Sequence, residues 1–309
     1  MKASVIISDV NPQGMLLPCV HAVCNQDFSD YEIILPDYGL FRKEDEALLS
    51  HFEAQYHNFR ILRNETNNRS ALINEAVRRA KGKILLFLES HCIVDKNWVK
   101  NYVDLFGKKK IQIALGKVRT MPSDSYLGKA EEHMRLRIVR NNELRGTDET
   151  YFDFHNSAMT RKCFIEASGL SENIPLLAEF EFGARIHQSG IDIFHFSDGY
   201  VWHANSTPFW KYKEVIGGQG RDKVMILMMH GSNFLQKYFP SRHSLNFLNF
   251  LKIFRLPSLV LMKLIIYVGM AGCNIGRLLN AQGIVNFYFY IFAKGCFWRG
   301  ILMGLKEFR

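Results

Sequence analysis

Apolar positions in the first ninety residues fall into short blocks, and helix-length amphipathic stretches separate them. Ala3 to Ser8, Tyr31 to Leu35, Phe59 to Leu62 and Ile84 to Leu88 are compact apolar runs closed by turn residues, the pattern of strands buried on both faces. Between them lie Gln13 to Asn25, with Leu16, Leu17, Val20 and Val23 on one face and Pro18 as an interruption, then Glu44 to Gln55, then Asn67 to Lys81. The last carries Ala71, Leu72, Ala76, Val77 and Ala80 on one face. Strands alternating with helices predict right-handed βαβ units and a mostly parallel α/β sheet flanked by helices.

Downstream, the pattern predicts a helix over Asn97 to Phe106, a strand over Ile111 to Val118 and a long helix from Ser125 to Leu144. A strand and turn follow over Phe152 to Arg161, a helix over Ala178 to Gly190, a strand over Ile191 to Phe196 and an aromatic strand end at Tyr200 to His203. Gly217-Gly218-Gln219-Gly220-Arg221 reads as a loop whose backbone N–H groups and Arg221 could hold a diphosphate, although it lacks the Walker A spacing.

From residue 245 the character changes. Phe247, Leu248, Phe250, Leu251, Ile253 and Phe254 crowd one segment, Ser258 to Gly272 is apolar apart from Lys263, and Ile284 to Leu305 is interrupted by Lys294 and Arg299. Spanning a bilayer takes about 20 largely apolar residues, and mid-span charge is costly. These segments are therefore expected to be amphipathic or re-entrant helices at a membrane interface, or else a soluble helical subdomain. Gly272-x-x-x-Gly276 and Gly300-x-x-x-Gly304 would permit close helix packing. The resulting division is a catalytic domain over 1–235 and an apolar helical region over 236–309.

The formal net charge of +9 points to an anionic partner, either a phosphate-bearing substrate or an anionic membrane surface. No nucleic-acid-binding motif is visible, so nucleic acid is not expected as a partner. The six cysteines form no CxxC pair, which reads as reduced thiols in a cytosolic compartment, with zinc not expected. Met1-Lys2 leads straight into a strand, so no signal peptide is expected. The long basic helix with Lys129, Arg135, Arg137, Arg140 and Arg145 is a solvated face or a contact for an acceptor phosphate or lipid headgroup.

Candidate chemistry gathers at strand ends. In open α/β sheets ligands sit beyond the carboxyl ends of the strands, and Asp9, Asp37 and Glu89 all fall there. Asp9 and Asp37 could simply cap turns. Three acids on one rim otherwise call for a shared cation or shared donors. Glu89 and His91, two positions apart, could offer one oxygen and one nitrogen to a divalent ion.

With these pieces in order, the chain from Ser4 to about Arg221 resembles the family 2 glycosyltransferases, which have the GT-A fold. Ser4 to Asn11 is similar to the opening strand and turn of that family, and Glu32 to Gly39 to its second strand. Ala71-Leu72-Ile73-Asn74 is similar to its Ala-x-Asn helix. The resemblance puts the nucleotide base contact on Asp37, with Tyr38 replacing a second acid, and puts Glu89-Ser90-His91 at the DxD position. It also makes His203 the late metal-site histidine. Glu179 takes the place of the acceptor base, with Ala178 replacing the acid before it. His in the last DxD place also resembles the polypeptide N-acetylgalactosaminyltransferases, which retain configuration where family 2 inverts.

The resemblance implies sugar transfer from a nucleoside-diphosphate sugar to a glycan or lipid-linked acceptor, in cell-surface polysaccharide or glycolipid synthesis at the cytoplasmic face of a membrane. The leaving diphosphate would be neutralised by Mn2+ or Mg2+ held by Glu89, His91 and His203, with Asp9, Asp37, Glu89 and Arg221 near the donor. Alternatives stay open. His203 could be a packed strand histidine, and Glu179 a helix-start acid stabilised by the dipole. His155 and Glu181 could contact the acceptor. The chain could also be a silent nucleotide-sugar-binding homologue or scaffold, or a retaining transferase.

Overall fold

A computed structural model describes residues 1–9, 15–39, 41, 43–63, 66, 68–122, 125–143, 152–204, 209–238 and 255–307. Val10 and Asn11, Arg145, and the segment 245–254 lie outside the described residues, as do the side chains of Arg135, Arg137 and Arg140. In chain order the elements are β1 (Ala3–Ile7), α1 (Leu16–Cys24), β2 (Tyr31–Pro36), α2 (Lys43–Gln55), β3 (Phe59–Leu62), α3 (Arg69–Arg79), β4 (Ile84–Leu88) and β5 (Cys92–Val94). There follow α4 (Trp98–Lys108), β6 (Ile113–Thr120), α5 (Tyr126–Glu143), β7 (Asn156–Thr160), α6 (Arg161–Glu166), α7 (Ala178–Gln188) and β8 (Ile193–His203). The chain then continues through α8 (Phe209–Tyr238), α9 (Arg255–Leu278) and α10 (Gln282–Glu307).

These form two compact units. One comprises Met1–Met121, Glu149–Glu172 and Ala178–Ala204; the other comprises Pro122–Asp148, Asn173–Leu177 and Asn205–Arg309. The division differs from one at 235/236, because the helices α5 and α8 group with the C-terminal pair rather than with the sheet.

The first unit holds an eight-stranded sheet in the order β3-β2-β1-β4-β7-β6-β8-β5. The β1–β2, β2–β3, β1–β4 and β6–β8 pairs are parallel, and β4–β7, β6–β7 and β5–β8 are antiparallel. The sequence dictates which strands are central. β1 and β2 are buried at every position, as is β4 after its first residue, which explains their unbroken apolar runs. β8 alternates between buried and open positions, as a strand covered on one face does. β8 also joins what the sequence pattern separates into two strands: the register shifts beside Gly116, and Ser197-Asp198-Gly199 loop out.

Buried polar groups fix this frame. Asn156, at the start of β7, accepts hydrogen bonds from Trp98 Nε1 at 3.0 Å and Tyr102 Oη at 2.9 Å. Its amide donates to the carbonyls of Lys117 at 3.0 Å and Gly199 at 2.6 Å. One side chain thereby ties β7 to α4, β6 and β8. At the opposite end of the sheet, buried Glu32 accepts from Ser4 Oγ and the Lys81 N–H and pairs with Arg60, which locks the α3–β4 turn. Asn68 caps α3 by accepting the Ala71 N–H. Asn74 clasps the Leu170 N–H and C=O, so the Asn of the Ala-x-Asn motif is a brace for the turn after α6.

The second unit is helical. α9 and α10 approach closely where Gly272 and Gly276 face Tyr288 and Val285. Gly217 and Gly220 of α8 face Gly300 and Phe297 of α10. The glycine-dense stretch expected as a diphosphate loop is therefore helix interior. Its N–H groups bond to carbonyls one turn back and cannot cradle a phosphate, and Arg221 pairs with Glu307 at 3.6 Å instead. α8 is broken at Gly231, whose φ of 80° only glycine adopts cheaply. Among the described residues one helical stretch, Leu259–Leu278, is long and apolar enough to cross a membrane by length and composition.

Candidate active site

Strand register brings the site together. β1 and β4 run parallel with Ile7 beside Leu88, so Asp9 and Ser90 emerge side by side, and the Ser90 N–H donates to Asp9 Oδ1 at 2.7 Å. β7 runs antiparallel to β4 with Asn156 opposite Leu88, which sets His155 against Glu89. β5 pairs with β8 with Cys92 opposite His203, and the Ala204 N–H donates to the His91 carbonyl, so His91 and His203 become neighbours. α3 and α7 add Arg69 and Glu179, each from its first turn.

The imidazoles of His91 and His203 meet Nε2 to Nε2 at 2.8 Å, a contact in which one nitrogen must carry the hydrogen. Glu89 Oε2 lies 3.3 Å from His91 Nε2 and 3.1 Å from His155 Nε2. Behind the rings stand two more carboxylates. Asp9 Oδ2 is 3.5 Å from His91 Nδ1. Asp153 Oδ2 is 3.1 Å from His155 Nδ1, off the line of a well-formed hydrogen bond, while Asp153 Oδ1 accepts the His155 N–H. Arg69 spans the other side. It pairs with Glu179 at 2.9 Å, approaches Glu89 at 3.6 Å and donates from Nε to the Ser8 carbonyl.

The electrostatics show a demand for positive charge. Burial disfavours ionised Asp9, but His91, the Ser90 N–H and Arg69 outweigh it and bring the carboxyl down to about 2. Burial pushes the Glu89 carboxyl up, with Asp9 adding to the rise and His155, His91 and Arg69 opposing it. Burial alone would lower both His91 and His155. Asp9 and Glu89 nonetheless raise His91, and Glu89 with Asp153 raises His155 to about 10. Four buried or partly buried carboxylates share the described cluster with one arginine, and protons on the imidazoles would supply the missing charge.

A divalent cation fits the same demand. Glu89, His91, His155 and His203 each offer one donor atom, and the four atoms lie within 4.8 Å of one another. Carboxylates on the far nitrogens of His91 and His155 are the usual outer partners of metal-binding imidazoles.

Of the residues singled out in the sequence, Asp9, Glu89, His91, Glu179 and His203 are brought to this edge, together with His155. Asp37 is at the end of β2, where its Oδ1 accepts the Gly39 N–H; among the described residues no hydrogen bond or ion pair joins it to the cluster. Tyr38, where the resembled family has an acid, is buried and directs its hydroxyl at the Ile7 carbonyl. Glu181 is no surface contact. It is buried against Arg185, which holds the carbonyls of Ala167 and Gly169 at the end of α6.

Sequence reasoning missed Arg69 and Asp153. Arg69 had a signal: a cation in the first turn of a helix opposes the macrodipole, so it needs a partner elsewhere. Asp153 stands two residues before His155, the same one-residue spacing as Glu89 and His91.

Comparison with known proteins follows the same lines. A poly(ribitol-phosphate) beta-glucosyltransferase from Bacillus spizizenii is 26% identical over 125 residues, which cover 38% of this chain and 19% of that relative. The match thus spans about a fifth of the curated relative's length. The fold resembles the mannosyltransferase PcManGT from Pyrobaculum calidifontis in complex with GDP-Man and Mn2+. The TM-score is 0.62 and the identity 12%, over 100% of this chain and 88% of that one. It also resembles S. aureus TarS 1-349 in complex with UDP, with TM-score 0.55 and 14% identity over 100% and 92% of the respective chains. At these identities the likeness establishes the α/β fold with a mostly parallel sheet flanked by helices. The model for glycosyl transferase family 2 matches residues 4–167, more than half of the 309 residues, and the chain belongs to that family.

Proposed function

We propose that this chain is a metal-dependent glycosyltransferase. It moves a sugar from a nucleoside-diphosphate sugar to a glycan or lipid-linked acceptor, with inversion, at the cytoplasmic face of a membrane. The observation that carries the reading is the convergence of the Glu89/His91 pair and His203, from two separate stretches of chain, beside the Arg69–Glu179 pair. Relatives named for nucleotide-sugar donors and for a poly(ribitol-phosphate) acceptor support the substrate classes.

Each residue has a distinct task. Glu89, His91 and His203 would hold the cation, Mn2+ or Mg2+, which when bound neutralises the leaving diphosphate. Asp9 orients His91 and pins the Ser90 backbone. Asp37 contacts the nucleotide base at the end of β2. Glu179 takes the proton from the acceptor hydroxyl, a role worth roughly 10²–10⁴-fold in rate. Arg69 holds Glu179 in place and limits the repulsion between it and Glu89.

Membrane association rests on α9. Val260, Leu261, Leu264, Tyr267, Val268, Ile275 and Leu278 are exposed at helical spacing, Tyr267 by 69% and Leu278 by 86%. With a net charge of +9, this face suits an anionic leaflet. The experiment is a screen of nucleotide sugars for thermal stabilisation and turnover, with Mn2+ and with EDTA. Equal binding in both, or no turnover of any donor, would favour a silent homologue, and anomeric analysis of a product decides between inversion and retention.

A further inference from the structure

We propose that the cation site has a fourth protein donor, His155, positioned by Asp153, and that three imidazoles with one carboxylate make it select later first-row transition ions over Mg2+. This rests on the metal-dependent reading above and concerns which residues hold the ion and which ion they prefer.

Three observations carry it. First, His155 Nε2 points at the same carboxylate oxygen that faces His91 Nε2: Glu89 Oε2 lies 3.1 Å from the one and 3.3 Å from the other. Ring centroids of His155 and His203 are 4.9 Å apart, and those of His91 and His203 are 4.5 Å apart, so the three rings surround one point. Second, Asp153 addresses His155 twice, with one oxygen on its backbone N–H and the other facing Nδ1 at 3.1 Å. A carboxylate on Nδ1 favours the tautomer with the hydrogen there, which would leave the Nε2 lone pair for an ion shared with Glu89. Third, His155 is rigidly based, because Asn156 beside it is bonded on all sides to α4, β6 and β8.

The chemistry of the donor set then decides the ion. Oxygen-rich sites suit Mg2+ and Ca2+, whereas imidazole suits zinc, cobalt, iron and nickel. A site with a single carboxylate oxygen and three ring nitrogens gives Mg2+ little that water does not. The absence of a cysteine framework does not bear on this, since the nitrogen donors are histidines.

The test is isothermal titration of the full chain, stripped with EDTA, with CoCl2, ZnCl2, MnCl2 and MgCl2, alongside the visible absorption of bound Co2+. Co2+ and Zn2+ are expected to bind at least about 100-fold more tightly than Mg2+. His155→Gln should weaken Co2+ at least about 10-fold, leave Mg2+ nearly unchanged and alter the Co2+ spectrum. Asp153→Asn should weaken Co2+ by roughly 10-fold, the usual cost of losing an outer carboxylate. A merely structural role for Asp153 would lower stability without changing the Co2+-to-Mg2+ ratio. Equal affinity for Mg2+ and Co2+, or an unchanged Co2+ affinity and spectrum in His155→Gln, would overturn the proposal. Metal-dependent transfer through Glu89, His91 and His203 would then stand. If no ion binds the wild-type chain, both readings fall. Should His155→Gln not fold, wild-type selectivity and Asp153→Asn still decide.

Discussion

His91 and His203 are 112 positions apart in the chain, yet their Nε2 atoms stand 2.8 Å from each other. Without an ion, that contact needs a hydrogen held between two rings in a buried setting. With an ion, both lone pairs have the same partner. A ligand that binds only the folded state adds stability by mass action, about 2.7 kcal/mol at a hundred times its dissociation constant. Mn2+ is therefore expected to raise the melting temperature of the wild-type chain by several degrees, and EDTA to reverse it. His91→Ala and His203→Ala should each remove most of that shift. Retention of the full shift in either variant would separate that histidine from the site.

Arg69 is the one arginine described at the cluster, and it faces both Glu179 and Glu89. Removing one partner of a buried ion pair leaves an uncompensated charge, which costs roughly 3–5 kcal/mol. Arg69→Leu should fall near the lower end, since 17% of the Arg69 side chain is exposed, and should lower the urea midpoint accordingly. Arg69→Lys should recover only part of the loss, because an ammonium cannot serve Glu179, Glu89 and the Ser8 carbonyl at fixed angles. A loss under about 1 kcal/mol for Arg69→Leu would mean that water already screens the pair.

Glu179→Gln keeps the shape and removes the basic oxygen. Donor binding and the Mn2+-dependent thermal shift should be unchanged, while turnover drops about 10²–10⁴-fold. Pre-steady-state product formation measured with saturating donor checks this. Normal transfer by the variant would move the base to another residue, and loss of donor binding would make Glu179 structural through Arg69.

The histidines also set a pH signature for the metal-free chain. His155 is raised from an ordinary 6.5 to about 10 by Glu89 and Asp153, against the effect of burial. Its protonated form is thus favoured by folding. That contribution is complete below pH 6.5 and disappears as pH climbs through 10. Asp9, lowered from 3.8 to about 2, contributes above pH 3.8 and loses its contribution as pH falls through 2. In EDTA, the urea midpoint of the wild type should decline between pH 6.5 and 10 more steeply than that of His155→Gln. Parallel profiles would show that His155 is not protonated in the folded state. Metal affinity should rise over the same interval, because ligating imidazoles must release their protons.

The fold was legible where periodicity was strong. β1 to β4 with α2 and α3 follow from unbroken apolar runs alternating with amphipathic stretches, since strands central to a parallel sheet are buried on both faces. β5 and α6 were not legible. They are only 3 and 6 residues long, too short for any period to register. Gly217 to Arg221 misled, because glycines that bring helix backbones together look in sequence like glycines that free a loop. At the site, Glu89 and His91 stood out from their place after a strand and His203 from the family resemblance, and the structure brings the three side chains together. The depth of His155 and the role of Asp153 were not, because both depend on β7 returning antiparallel beside β4, and no local pattern specifies which strands will pair.

α9 carries the remaining prediction. Its inner face packs on α10 through Ile266 and Cys273, while Leu264, Tyr267, Ile275 and Leu278 face outward. Twenty residues at about 1.5 Å each reach roughly 30 Å, the thickness of a bilayer core. Lys263 and Arg277 fall toward the two ends of that stretch, where long basic side chains can reach headgroups, so neither imposes the mid-span penalty. Apolar insertion would dominate over surface charge. The chain should float with vesicles of phosphatidylglycerol and phosphatidylcholine, and detergent rather than 1 M salt should release it. The double substitution Leu264→Glu with Ile275→Glu should abolish flotation and leave the Mn2+-dependent thermal shift intact, since these side chains lie on the outer face of the second unit. Release by salt alone would assign the attachment to the basic surface. Flotation unchanged by the double substitution would rule out this face of α9 as the membrane contact.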